Sequence, residues 1–368
     1  MNQNKEPRFT QEALLSALSS YFGEKIIQAT KRRKRLHGGT VGEVFLVQGK
    51  ATTSSSKELP YKIIWKYTQK WNRPGDPLSW RREYDWFHFS PVLNLGEYLH
   101  LPTCYYQEIT EEGNHLWMEY LTGASGNSLT LAMLQEIAFQ WGIFQQQNMH
   151  SLKSLEGKNT TNLSFLDSEL SQWYHNPYDY DFLCSDQCLI PSHIKNTLRK
   201  NNWRGGFSII YHYIRSDECD LPEHLKQMIT HLNDSREEIF LKFSQLPEVI
   251  SHRDFWIENI FYKGPIINII DWDCVGEGYL GEDIASLIAD DTPTRYLNQW
   301  FEPIFSSYRQ GFLTNGKTFP LEKKDVVMMI LIKYGYRLMG GYWFADSQKE
   351  KDDFVERLSI IYGWLKRY

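Results

Sequence analysis

The chain has 368 residues, of which 42% are hydrophobic and 23% charged, and its formal net charge is −5. This composition is typical of a globular protein large enough for two lobes, and the mild acidity argues against a nucleic-acid binder that works by counterion release. No stretch approaches the ~20 consecutive apolar residues that span a bilayer, so we expect no membrane segment.

The N-terminus and the cysteines indicate where the protein works. The sequence begins with polar residues and carries no apolar signal region, so we expect no secretory leader. The five cysteines are scattered and odd in number, and Cys184 and Cys188 lack a second ligand pair at zinc spacing. These features predict a reduced, cytoplasmic protein without nucleic-acid or membrane partners, and they leave open whether it is a monomer or a homodimer.

The first third of the chain, residues 1–121, predicts a small α+β lobe with a meandering antiparallel sheet. Helical spacing at 11–22 ends at Gly23, and the Ser- and Thr-rich stretch at 51–59 predicts a mobile hairpin loop. The other predicted elements are strands at 41–48, 61–67, 105–110 and 115–121 and a helix at 79–89.

A glycine-containing hinge at 119–126 separates this lobe from a larger, mainly helical lobe at 127–368. The only strand signal in the second lobe lies at 258–271, and the stretch at 151–250 carries no readable motif. The sequence therefore predicts an α+β, bilobal fold. Helices in the second lobe are predicted at 129–150, 190–200, 222–232, 234–245, 294–312, 321–340 and 348–367.

The strongest signal for chemistry is the run SHRDFWIEN at 251–259, followed by IDWD at 270–273. Between them, two short apolar strands flank a Lys-Gly-Pro turn, which predicts a β-hairpin. Folding this hairpin brings Asn259 and Asp271 to the same end, and their oxygen atoms are ligands that suit Mg²⁺. Asp254 lies five residues before Asn259, where it can accept the proton of an incoming hydroxyl.

These motifs resemble the H-x-D-x-x-x-x-N catalytic loop and the I-D-W-[DE] segment of the aminoglycoside phosphotransferase and choline kinase family. The resemblance implies a protein-kinase-like fold and a kinase that uses ATP, or alternatively GTP, with Mg²⁺ on Asn259 and Asp271 and with Asp254 as the catalytic base. Downstream, GEDIASL at 281–287 resembles the family's G-D-x-x-x-D-L-A element in shortened form, which leaves the role of Asp283 open.

A glycine-rich turn leads into the first predicted strand. HGGTVGEV at 37–44 resembles G-x-G-x-x-G-x-V, with His in place of the first glycine. Glycines let the backbone approach phosphates closely and donate amide N–H groups to them. The resemblance therefore implies nucleotide binding by Gly38, Gly39, Thr40 and Gly42.

The next predicted strand, at 61–67, contains the lysine to which the resemblance assigns phosphate binding. Lys66, in IIWK, matches the lysine of V-A-I-K, and Ile64 would then pack on the adenine. Lys62 is an alternative, because strand alternation puts both lysines on one face. The resemblance also pairs Lys66 with Glu83 of the helix at 79–89. It assigns recognition of the base edge to backbone groups of two hinge residues, Glu119 and Leu121.

Acidic and aromatic side chains are frequent in the catalytic half of the chain. From Asp254 to Asp291 there are nine acidic residues and one basic residue, Lys263. The negative field favours a cationic acceptor, and aromatic rings can stack on a sugar or an ammonium group. We therefore predict a hydroxylated amine as acceptor: an aminoglycoside or another amino-bearing antibiotic, choline, or an amino sugar. The candidate residues for binding it are Trp256, Asp273 and Tyr279.

Two alternatives keep a nucleotide site but change the function. A protein-kinase-like enzyme is disfavoured because DWD at 271–273 replaces D-F-G and no A-P-E segment follows. A nucleotide-binding protein without kinase turnover would be expected to have lost the base or a metal ligand, and Asp254, Asn259 and Asp271 are all present. ATP turnover that depends on an acceptor separates these possibilities.

Overall fold

The computed structural model describes residues 7–36, 42–70, 78–149, 213–314, 316 and 318–368. The chain divides into two compact units: the first contains the described residues up to Gly126 together with Glu258–Val275, and the second contains the other described residues. The division made from the sequence assigned 258–275 to the C-terminal lobe. Within the described ranges, every helix is too short or too polar to cross a membrane.

The first unit is built on one antiparallel sheet. Its strands follow the order β1-β3-β4-β7-β6, and β2 also pairs with β3. Their bounds are β1 (Ile26–Ala29), β2 (Arg32–Arg35), β3 (Gly42–Thr53), β4 (Glu58–Gln69), β6 (Cys104–Ile109) and β7 (Gly113–Glu119), with a short β5 (Leu99–His100) outside this sheet.

The β3–β4 hairpin is longer than the sequence predicts, and the bounds of the hairpin loop predicted at 51–59 are wrong, because the turn is confined to 54–57. Ala51 and Thr53 are fully buried and continue β3, and the Thr53 N–H donates to the Lys57 carbonyl at 2.9 Å. Ser56 adopts a left-handed φ of 66°, which lets the chain reverse within a tight turn. Composition alone did not predict the longer strands, because Ser and Thr occur both in loops and in strands that lead into turns.

One face of this sheet packs against helix α1 (Gln11–Phe22). Thr10 caps the helix by accepting from the Ala13 N–H, and Gly23 ends it with φ 69°, as the sequence predicts. Fully buried Leu14 and Leu18 meet the large aromatic side chains of the sheet, including Trp65. This core leaves the opposite sheet face for other contacts.

Helix α2 (Arg82–Phe89) and the hairpin of β9 (Ile260–Lys263) and β10 (Ile266–Ile269) complete the first unit. The hairpin forms as predicted, with Ile260 opposite Ile269. Strand β10 also pairs in parallel with β5.

The second unit is mainly helical, as predicted. The helix predicted at 190–200 lies outside the described residues. The single helix predicted at 321–340 is instead two helices joined by a π-helical turn, Leu331–Gly335. In the described part of this unit, the helices are α3 (Leu131–Gln147), α4 (Glu223–Asp234), α5 (Arg236–Phe243), α6 (Glu282–Ala289), α7 (Thr294–Leu313), α8 (Lys323–Ile330), α9 (Tyr336–Phe344) and α10 (Gln348–Arg367).

The prediction that strands of the second lobe occur only at 258–271 is wrong. β8 (Glu248–Ser251) pairs antiparallel with β11 (Gly276–Tyr279), and helix α6 follows directly. Both strands have four residues, which is too short for a periodic signal to emerge. This ladder matters because β8 leads straight into the predicted catalytic loop.

Candidate active site

A buried ion pair connects the sheet of the first unit to helix α2. Lys66 Nζ, on β4, lies 2.5 Å from Glu83 Oε2, and the two side chains are only 7% and 6% exposed. Lys62 is exposed instead, and its Nζ lies 3.6 Å from the centre of the Tyr120 ring. The structure therefore brings together Lys66 and Glu83, the pair that the sequence favours, and places Lys62 elsewhere.

Asp271 joins this pair from the segment that follows β10. Lys66 Nζ also donates to Asp271 Oδ1 at 2.5 Å, and the Asp271 side chain is 26% exposed. Asp271 has a left-handed φ of 65°, which is costly for a residue with a Cβ and is concentrated at functional sites. This backbone geometry turns the carboxylate of Asp271 to the lysine.

Further contacts hold the Asp271 segment against α2. The Trp272 N–H donates to Glu83 Oε1 at 3.2 Å, and Arg82 Nη1 donates to the Asp273 carbonyl at 2.9 Å. The Trp272 ring stacks on Trp86 with centroids 4.6 Å apart. Glu83 therefore fixes both the lysine and the backbone beside Asp271. The sequence did not single out Arg82, although it directly precedes Glu83.

Lys66 stays charged in this environment. Burial alone would lower its pKa, but the carboxylates of Asp271, Glu83 and Asp273 outweigh that effect and hold the pKa of Lys66 well above its usual value. A permanently charged ammonium at this position is suited to binding phosphate oxygens.

Next to Lys66, the same sheet face presents a band of partly buried apolar side chains. Leu46, Ile64 and Met118 are register partners on β3, β4 and β7, and Val44 pairs with Lys66 itself. Val44, Leu46 and Ile64 are all half-buried. This is the arrangement that a flat apolar ring such as a purine base needs beside a phosphate-binding lysine.

The predicted hinge and glycine-rich residues are only partly described. The Glu119 N–H donates to the Thr103 carbonyl at 2.9 Å, so this amide is used within the protein, while Leu121 is half-buried just beyond β7. Gly42 pairs with Thr68, and a Cβ on Gly42 would lie 2.9 Å from the Tyr67 carbonyl oxygen. Gly38, Gly39 and Thr40 lie outside the described residues.

The end of the β9–β10 hairpin offers oxygen ligands that fit a magnesium ion. The Ile270 N–H donates to the Asn259 carbonyl at 3.0 Å, which places Asn259 beside the residue that precedes Asp271. Asn259 is 6% exposed. The donor set is a carboxylate and an amide oxygen, the kind that Mg²⁺ takes together with phosphate oxygens of its substrate.

In the second unit, the loop after β8 carries Asp254. Asp254 is half-buried, its N–H donates to His252 Nδ1 at 3.3 Å, and its carbonyl accepts from the Trp256 N–H at 3.1 Å. Burial, followed by the charges of Asp291 and Asp254, raises the pKa of Asp290 to about 6 against the opposing charge of Arg337. Asp254 is thus one of two acidic neighbours that contribute to this shift, and Lys333 opposes it together with Arg337.

Asp283, whose role the sequence left open, anchors this loop. Its two carboxylate oxygens accept the backbone N–H groups of His252 at 2.9 Å and Arg253 at 2.8 Å. Asp283 is fully buried, and burial raises its pKa although Lys333 and these two amides oppose the shift. Arg253 holds a left-handed φ of 69°, so the carboxylate stabilises a strained turn directly before Asp254. The sequence signal that could have indicated this role is an acidic residue in the first turn of the mainly apolar helix α6.

The three candidate acceptor residues differ in their surroundings. Trp256 is half-buried beside Asp254, whereas Tyr279 is only 9% exposed and its ring meets Phe240 edge-on. Asp273 belongs to the first unit, where its carbonyl accepts from Arg82. Tyr279 is therefore mainly a packing residue of the second unit.

Comparison with known proteins agrees with the motifs. Residues 202–316 match the model of the phosphotransferase enzyme family. This segment contains both the loop with Asp254 and the segment with Asp271. No curated protein sequence matches the chain.

Solved structures share the fold at low sequence identity. The microcompartment-associated aminopropanol kinase has a TM-score of 0.53 and 13% identity, with 96% of this chain and 97% of that chain covered. Choline kinase from Cryptosporidium parvum Iowa II has a TM-score of 0.50 and 14% identity, with 92% and 89% covered. The predicted protein-kinase-like fold is confirmed, and residues 202–316 resemble the phosphotransferase enzyme family.

Proposed function

We propose that this chain transfers the γ-phosphate of ATP, with Mg²⁺, to a hydroxyl group of a small molecule that also carries an amine. The observation that supports it most is the buried cluster in which Lys66 Nζ lies 2.5 Å from both Glu83 and Asp271. A structural ion pair needs one carboxylate. A second carboxylate, partly exposed and on a strained backbone, is what a phosphate- and metal-binding centre requires.

Each side chain has a role in this proposal. Lys66, held by Glu83, binds the α- and β-phosphates, and the apolar band around Ile64 holds the base. Asn259 and Asp271 would hold Mg²⁺, which neutralises charge on the phosphates when it is bound. Asp254 orients the acceptor hydroxyl and takes its proton late in a loose transition state, so positioning matters as much as basicity.

The amine in the proposed acceptor is supported by charge. From Asp254 to Asp291 the sequence has nine acidic residues and one basic residue, which favours a negative field in this part of the chain. Such a field attracts an ammonium group and disfavours anionic sugars. Both structures cited above are of kinases named for amino alcohols, aminopropanol and choline. We therefore rank amino alcohols first, with aminoglycosides, other amino-bearing antibiotics and amino sugars after them.

The test is acceptor-dependent release of ADP with matched pairs of acceptors. Each amine is compared with a neutral analogue: 1-amino-2-propanol with 1,2-propanediol, and choline with 3,3-dimethyl-1-butanol. Kanamycin and glucosamine extend the panel, and GTP and EDTA arms test the nucleotide and the metal. Turnover with amines but not with their neutral partners supports the proposal. Equal turnover within each pair contradicts the amine preference, and ATP binding without turnover across the panel favours the binding-only alternative.

A further inference from the structure

A chain of buried polar groups in the second unit connects two long helices to the loop that carries Asp254. Gln145 Nε2, on α3, donates to Asp283 Oδ2 at 3.2 Å and to the Ile250 carbonyl at 3.0 Å. Tyr308, on α7, donates its hydroxyl to Gln145 Oε1 at 2.5 Å. Gln145 is 1% exposed, and both Tyr308 and Asp283 are fully buried.

The orientation of the Gln145 amide decides whether this chain holds the loop. Its NH₂ group has two donors, and both find an acceptor. A flipped amide would point its oxygen at a carboxylate and a carbonyl, with no proton between them. The hydroxyl of Tyr308 stabilises the observed orientation further by donating to the amide oxygen. Burial, aided by the charge of Asp283, raises the pKa of Tyr308 well above its usual value, so the hydroxyl keeps its proton.

Two glycines bring these helices close enough for the contact. A Cβ on Gly142 would lie 2.3 Å from the Tyr308 carbonyl oxygen, and a Cβ on Gly311 would lie 1.9 Å from the Phe139 carbonyl oxygen. Any side chain at either position would push α3 and α7 apart. The close crossing therefore places Tyr308 against Gln145, one helical turn beyond Gly142.

We propose that Gln145 and Tyr308 are positioning residues for phosphoryl transfer: Tyr308 fixes the Gln145 amide, and this amide holds Asp283 and the end of β8 so that the loop presents Asp254 in a single conformation. The loop depends on this support because Arg253, directly before Asp254, has a strained left-handed backbone. If Asp283 moves, the backbone of Arg253 can relax to another conformation and carry Asp254 with it. The amides of His252 and Arg253 are the first to respond, because both donate to Asp283. The catalytic part of this inference rests on the proposed function.

The first measurement is hydrogen exchange at the amides of His252 and Arg253, which needs no substrate. Tyr308→Phe removes one hydroxyl and keeps the ring, and Gln145→Leu removes the whole amide. We expect exchange at these two amides to rise about tenfold or more in either variant, the effect of losing about one buried hydrogen bond. Tyr61→Phe is the control, because the buried Tyr61 hydroxyl donates to the Thr30 carbonyl at 2.7 Å in the first unit.

The second measurement uses the amine acceptor that the wild-type chain turns over best. Both variants should lower kcat about tenfold or more while the Kd for ATP stays within about twofold, because the lysine cluster lies in the other unit. If Tyr308 acts through Gln145, the double variant loses no more kcat than Gln145→Leu alone.

The outcomes separate this inference from the proposed function. Raised exchange together with non-additive kcat losses supports it. Unchanged exchange at the His252 and Arg253 amides in Tyr308→Phe overturns it, as do additive losses or an equal fall in ATP affinity. If the wild-type chain turns over no acceptor, the proposed function fails, and the exchange experiment still decides whether Tyr308 and Gln145 hold the loop. If Gln145→Leu does not fold, Tyr308→Phe alone decides.

Discussion

Replacing Glu83 with Gln tests how the lysine cluster works. The Gln side chain keeps an oxygen for the Trp272 N–H but removes the negative charge that lies 2.5 Å from Lys66 Nζ. In wild type, Lys66 is shared between Glu83 and Asp271. In the variant, its ammonium has Asp271 as the remaining close carboxylate, so the same lysine competes more strongly with the metal for that carboxylate.

The magnitude follows from the burial of the pair. With side chains 7% and 6% exposed, the bond is of the charge-assisted, poorly solvated kind, worth about 1.5–3 kcal/mol. If that energy is expressed in the transition state, kcat/KM for ATP falls by a factor of about 10 to 150. Folding is affected less, because Asp271 still pairs with the buried ammonium.

Initial rates at varied ATP and varied Mg²⁺ measure both effects. We expect the lower kcat/KM to come with a higher Mg²⁺ requirement. Glu58→Gln is the matched control: Glu58 pairs with Lys50 at 3.0 Å on the same hairpin, but both side chains are more than half exposed. That variant should behave as wild type. A Glu83→Gln variant with wild-type kcat/KM and wild-type Mg²⁺ dependence would refute the reasoning.

Three further predictions concern the same two units. Lys66→Ala should weaken ATP binding far more than Lys62→Ala does, since Lys62 is exposed over Tyr120, and calorimetry that ranks them the other way would contradict this. Asn259→Ala and Asp271→Ala should each reduce the gain in ATP affinity that Mg²⁺ provides, and an unchanged gain in both variants would remove them from the metal site. Because the folded-state pKa of Asp290 is raised to about 6, the folded protein binds its proton more tightly than the unfolded chain does, so wild type should gain stability relative to Asp290→Asn as pH falls from about 7 to 5. Urea unfolding at each pH measures this, and a parallel pH profile of the two proteins would contradict it.

Local patterns predicted helices α1 and α2 and strands β3, β4, β6 and β7 of the first unit, but they missed β1 and β2, which have four residues each. The Ile and Tyr content of 61–67 predicted β4, and the Lys-Gly-Pro turn between two short apolar strands predicted the β9–β10 hairpin with the register that the structure shows. The lysine, the glutamate and Asp271 were named from motifs, and the structure brings all three within one ion-pair cluster. Such motifs predict site residues because each chemical role requires a particular residue type at a fixed spacing in the sequence.

The support of the catalytic loop was not predictable in the same way. Gln145 lies 138 residues from Asp283 and 163 from Tyr308, so their contacts depend on how α3 and α7 cross. Nothing in the local sequence distinguishes Gln145 from Gln146 and Gln147, the residues that follow it. The crossing itself depends on Gly142 and Gly311, and a glycine in a helix indicates close packing without naming its partner. Strands β8 and β11 were missed because four residues carry too little periodicity.

The most direct test of the central claim is the phosphorylated acceptor itself, measured by mass spectrometry beside ATP binding on the same preparations of wild type and Asp254→Asn. The Asn side chain has the size of Asp254, but it lacks the negatively charged carboxylate that would accept the proton of the acceptor hydroxyl. General-base contributions are about 10²–10⁴-fold, so formation of the acceptor phosphorylated on its hydroxyl should fall by at least that order. ATP affinity should hold, because Lys66, Asn259 and Asp271 are intact. Wild-type rates of product formation in Asp254→Asn would contradict the account.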